Sequence, residues 1–113
     1  MVKVYIEQMF EYKERAKDEY IQFSSGLKSP VIEMDCAPTI GLMINDDNDR
    51  EFEVETLNYD TKTKEYSVFI YCEWSHVEDY YEDLVSTLHD GWVLTHGKTP
   101  EELREMYPSL DGE

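Results

Sequence analysis

The 113-residue sequence predicts a single α+β domain spanning residues 1–113. Its expected architecture is a mainly antiparallel sheet of four to five strands, packed by an N-terminal helix and by a helix that follows a central hairpin. Three observations carry this expectation. Apolar side chains at 2, 5, 6, 9, 10, 16, 20 and 23 step mostly by three and four residues, the period of an amphipathic helix. Residues 51–55 and 64–74 alternate with period two, as strands do. Val77, Tyr80, Tyr81, Leu84, Val85 and Leu88 fall at i, i+3, i+4, i+7, i+8 and i+11, a full helical core stripe.

Taken in order, the first segment has Glu7, Glu11, Glu14 and Asp18 along one flank, and Ser24-Ser25-Gly26 as a stop. Val2, Val4 and Ile6 also alternate as a strand would, so the helix is expected from about residue 7. Val31 to Met34 and Ile40 to Ile44 read as short extended pieces split by Ala37-Pro38, since proline denies the ladder a donor. The polar run from Asn45 to Arg50 is a turn. Glu51 to Glu55 and Lys64 to Trp74 then form a hairpin with its loop at Asp60 to Lys62. In the second arm Tyr66, Val68, Ile70 and Cys72 face one way and Phe69 and Tyr71 the other, as in a strand partly covered on both sides. Ser75-His76-Val77-Glu78 fits a capping box opening the next helix, which Asp90-Gly91 ends. Trp92 to Thr95 is a last strand. Thr99-Pro100-Glu101-Glu102 starts a final short helix with proline at its first position, stopped by Pro108.

Charge narrows the function. The chain has 26 acids against 10 Lys and Arg, a net of −16. Direct binding to nucleic acid or to an anionic membrane is disfavoured, because either requires a basic patch. A basic protein partner is favoured instead. The longest uninterrupted apolar run is Val68 to Cys72, too short to span a bilayer. Glu7 interrupts the N-terminus before a signal-peptide core can form, so the expected compartment is the cytoplasm. Cys36 and Cys72 have no CxxC spacing and read as small buried or half-buried hydrophobes.

The excess charge is local. Residues 1–28 have five acids and five bases, whereas residues 29–90 have sixteen acids and three bases. Asp46, Asp47, Asp49, Glu51, Glu53 and Glu55 place six acids in ten positions against Arg50 alone. On a strand, alternate residues are about 6.6 Å apart, so Glu51, Glu53 and Glu55 would line one face as a row of charges. The helix acids Glu78, Asp79, Glu82 and Asp83 supply a second row. These ten residues are the candidate partner-binding site. Such a surface could occupy the basic groove of a DNA- or RNA-binding enzyme. In size and charge the chain resembles phage-encoded antagonists of bacterial defence, such as anti-CRISPR and anti-restriction proteins, and inhibitors of DNA repair. The resemblance implies a nucleic-acid-mimicking inhibitor. An immunity protein or antitoxin against a basic nuclease toxin needs the same acidity, and an acidic housekeeping domain uses it for solubility.

Catalytic chemistry finds no pattern. Asp46-Asp47-Asn48-Asp49 opens like a calcium loop, but the sixth position holds Glu51 or Phe52 instead of Gly, and the twelfth holds Leu57 or Asn58 instead of Glu. His76, His89 and His96 have no zinc spacing with either cysteine. Gly97-Lys98-Thr99 is only the tail of a phosphate-binding loop. No nucleophile has a base placed beside it, and no carboxylate pair stands out among the acids. The expectation is a protein that is not an enzyme and needs no cofactor or metal. Trp74, Tyr59, Tyr71, Tyr107 and Trp92 exceed the needs of a small core and are candidate interface anchors.

Overall fold

Strands dominate where β-branched and aromatic residues are dense. The computed structural model describes residues 1–16, 19–45 and 50–111. In chain order these form β1 (Val2–Ala16), β2 (Glu19–Lys28), β3 (Ile32–Met34), β4 (Met43–Asn45), β5 (Glu51–Glu53), β6 (Thr56–Asp60), β7 (Glu65–Trp74), α1 (Val77–His89), β8 (Val93–Gly97) and α2 (Pro100–Met106), followed by a 3-10 turn at Pro108–Asp111. Six strands make one sheet in the order β6-β7-β1-β2-β8, with β3 also paired to β1, while β4 and β5 form a separate ribbon. Among the described residues no helix is long and apolar enough to cross a membrane.

The expected N-terminal helix is replaced by two long neighbouring strands, β1 and β2, and the sheet is mixed. β1 pairs antiparallel with β2 from Glu7↔Lys28 to Ala16↔Glu19, and parallel with β7 from Lys3↔Glu65 to Tyr12↔Trp74. The physical reason lies in the parity of β1. Its even positions Val4, Ile6, Phe10 and Tyr12 are at most 2% exposed, whereas Tyr5 and Met9 point to the opposite face. Apolar residues on both faces of a central strand imitate three- and four-residue steps when read as one set. The local composition of Val, Ile, Phe and Tyr favours the strand. The acidic flank assigned to that helix is divided as well: Glu7 and Glu11 share one face, Glu14 takes the other, and Asp18 lies outside the described residues. Ser24-Ser25-Gly26, expected as a helix stop, is the middle of β2.

At the end of β2 the chain leaves β1 through Ser29 and Pro30. The Ile6 N–H donates to Ser29 Oγ at 2.8 Å, and the Ser29 N–H donates to the Ile6 carbonyl at 2.8 Å. A side-chain oxygen thus completes the ladder where the backbone departs, and β3 resumes the pairing at Val4↔Ile32.

The central hairpin is present with a different first arm. β6, not 51–55, pairs with β7 from Asp60↔Glu65 to Thr56↔Phe69, and β5 pairs with β4. Asp60 Oδ1 accepts from the Lys62 N–H at 2.9 Å in the turn, and Lys64 takes φ 61° to close it. α1 then carries the chain across β1 and β2 to β8, which runs antiparallel to β2 and therefore in the direction of β7. His76 caps α1 with no side-chain hydrogen bond, so the expected Ser75 capping box is not formed. The box at Thr99 and Glu102 is complete, with Pro100 in the first turn of α2.

α1 and α2 cover one face of the sheet. Val77, Tyr80, Leu84 and Thr87 are the buried side of α1, while Val85, expected in the stripe, is 39% exposed. Tyr80 meets Phe10, Tyr12 and Phe23 edge-on at centroid distances of 5.7, 6.2 and 5.2 Å. The β4–β5 ribbon adds Ile44 and Phe52 to the same core, with Phe52 against Trp92 at 5.6 Å. Trp92 is therefore a core residue and not an interface anchor. The other face of the sheet has no layer over it among the described residues.

Candidate functional site

The acids expected to bind a partner are distributed by these elements as follows. Glu78, Asp79 and Glu82 are exposed on α1, and Asp83 is half-buried beside them. Burial pushes the Asp83 carboxyl up, Arg50 opposes this, and the neighbouring Asp79 adds to it. Glu51 and Glu53 are exposed on β5, on either side of buried Phe52. Glu55 is exposed beyond the ribbon, and Asp46, Asp47 and Asp49 lie outside the described residues.

Arg50 joins the ribbon to the helix. Its Nη2 and Nε donate to Asp90 Oδ2 at 2.8 and 3.2 Å, and Nη2 also reaches Ser86 Oγ at 3.2 Å. Asp79, Asp83, Ser86 and Asp90 follow one another at three- and four-residue steps along a single flank of α1. The residue ahead of β5 therefore fastens the acidic ribbon to the end of the acidic helix flank. Glu55 belongs to a different surface.

That surface is the uncovered face of the sheet. Met9 lies at its centre, in register with Gly26 on β2 and Tyr71 on β7. Glu7, Met9, Gly26, Phe69, Tyr71 and His96 line a trough of about 540 Å³, with Glu55 also in its wall. A methyl group at the Cα of Gly26 would meet the His96 imidazole, so a larger residue there requires that exposed ring to swing aside. Phe69 and Tyr71 are 42% and 52% exposed. Around them, Lys28 sits over the Tyr5 ring at 4.3 Å, and Lys13 Nζ pairs with Glu11 at 3.0 Å. The Tyr71 hydroxyl and Lys13 hold the Glu11 carboxyl below the usual carboxylate range. Glu11 in turn raises Lys13.

The open face differs in charge from the rest of the chain. By register it carries Lys3, Lys13, Arg15 and Lys28 together with Glu7, Glu11, Glu33, Asp60, Glu65 and Glu73, so most of the −16 lies elsewhere. Of the trough's lining, Glu55 and Tyr71 were sequence-derived candidates, but the trough they share was not expected. Its signal was the odd-numbered row of β1, Tyr5 and Met9, together with Phe69 and Tyr71, which face away from the buried residues of β7.

Other expectations are corrected here. Cys36, expected to be buried or half-buried, is exposed, while Cys72 is half-buried and accepts from Gln8 Nε2 at 3.1 Å; His96 stands on β8. Among the described residues no three His, Cys, Asp or Glu side chains gather as a metal ion would require. Comparison of the chain with protein-family models, with curated proteins and with solved structures finds no match.

Proposed function

We propose that this protein acts in the cytoplasm by covering the basic surface of a nucleic-acid-binding enzyme, with the acidic flank of α1 and the adjoining β5 ribbon standing where phosphates would. The observation that supports this reading is the acidic row on α1, exposed at Glu78, Asp79 and Glu82 and half-buried at Asp83. Glu78, Asp79, Glu82 and Asp83 lie within about 7.5 Å of helix axis at roughly 1.5 Å per residue. That density approaches the one charge per roughly 1.7 Å of duplex DNA. Arg50 extends the row by tying the ribbon with Glu51 and Glu53 to the same helix. A field of one sign over such a surface accelerates encounter with a basic groove and competes with nucleic acid for it.

The test begins with capture of a partner from lysate at low salt and continues with that partner bound to labelled DNA. Displacement of the DNA that weakens as salt is raised, and that is lost in a Glu78→Gln/Glu82→Gln variant, supports mimicry. A stable ternary complex with DNA retained rejects it.

A further inference from the structure

We infer that the open face of the six-stranded sheet is the interface of a two-fold symmetric homodimer. Three features favour a second copy of this chain over any other occupant. The first is charge. A −16 chain repels its own copy, and the open face, with four bases against six acids by register and Glu55 in the trough wall, is where that repulsion is least. The second is area. β1 alone runs fifteen residues, about 50 Å at roughly 3.3 Å each, and five strands side by side span about 20 Å. Because the other strands run only three to ten residues, the face offers on the order of 750 Å², close to the ~800 Å² per partner of a stable interface.

The third feature is the position of the apolar trough. Met9 is the midpoint of β1, so a two-fold axis lying between the two sheets, parallel to them and crossing β1 at right angles near Met9, lays trough upon trough. Phe69 and Tyr71, 42% and 52% exposed in the single chain, then gain apolar contact with the other copy. The same axis reverses β1, bringing Lys13 and Arg15 of one copy to the end where the other carries Glu33 and Glu65. Two sheets stacked in this way would sit ~10 Å apart with their strands about 30° from aligned. The α1 flanks face outward on both sides, so this inference neither requires nor contradicts the proposed function.

Sedimentation equilibrium of the full chain from 1 to 100 µM tests it. The wild type is expected to dimerise, and more tightly at 0.5 M salt than at 0.05 M, because salt screens the repulsion between two acidic chains around an apolar contact. Phe69→Lys, at an exposed position, is expected to weaken the dimer by roughly tenfold or more. Arg15→Glu should weaken it less, and Glu82→Lys on α1 should leave it unchanged. Circular dichroism melting confirms that each variant is folded. A monomer at 100 µM overturns the inference, including one that takes an apolar dye into the trough. So does a dimer that dissociates as salt is raised, or one sensitive to Glu82→Lys but not to Phe69→Lys.

Discussion

The Tyr80 hydroxyl of α1 donates to Ser25 Oγ of β2 at 2.5 Å, and the Ser25 hydroxyl in turn donates to the Lys98 carbonyl at 2.7 Å. Both side chains are fully buried, so this short chain ties the crossover helix, the sheet and the segment after β8 through one serine. Removing its ends is not equivalent. Tyr80→Phe takes away one hydrogen bond and leaves Ser25 still able to donate, at a cost of about 0.5–1.5 kcal/mol. Ser25→Ala leaves the buried Tyr80 hydroxyl and the partly buried Lys98 carbonyl without their partner and should cost more, about 1–3 kcal/mol. In urea denaturation the double variant should lose less than the sum of the two, because the first substitution already removes what the second would break.

Alkaline pH should unfold the protein through the same tyrosine. Burial pushes the Tyr80 hydroxyl up from 10.0 to about 12, with its bond to Ser25 acting weakly the other way. The folded state therefore retains a proton that the unfolded state releases. The associated stability is fully present below pH 10 and is lost as pH rises from about 10 to about 12. Tyr12, raised by burial and by its bond to Glu14, acts in the same direction. Melting temperatures measured across this range should fall, and Tyr80→Phe should fall less steeply than the wild type.

Arg50 should govern the ribbon and little else. The Arg50–Asp90 pair is about a quarter exposed on each side, so solvent screening limits its contribution, and Arg50→Ala is expected to cost on the order of 1 kcal/mol. Its signature is local. Amide exchange should speed up in β4 and β5, while β1 and β7, buried at the middle of the sheet, keep the protection of global unfolding. Equal acceleration in all four strands would show that Arg50 supports the whole core.

Residues 77–106 were the most legible part of the chain. Val77, Tyr80 and Leu84 announce one buried side of α1, and Thr99, Pro100 and Glu102 announce the start of α2, because caps and helical stripes are made by residues within a turn of one another. The β6–β7 hairpin was legible at its turn for the same reason, since Asp60 bonds the backbone two residues on. Its first arm was misplaced because the charged alternation of 51–55 looks the same whether β5 pairs with β7 or with β4. The concentration of the net negative charge in residues 29–90 was visible from composition alone.

By itself, then, the sequence determined the local devices of this protein: the helix stripe, the caps, the turn and the uneven charge. Only the tertiary structure decided that residues 2–28 are strands, that β1 lies between β2 and β7, and that the acids of β5 meet α1 through Arg50. It also decided which face of the sheet stays open. The physical reason is that a strand is defined by its neighbours. The residues satisfying β1 on its β7 side stand about 60 positions away, and whether Tyr5, Met9, Phe69 and Tyr71 are covered depends on where a crossover helix lands, which no local pattern in β1 records.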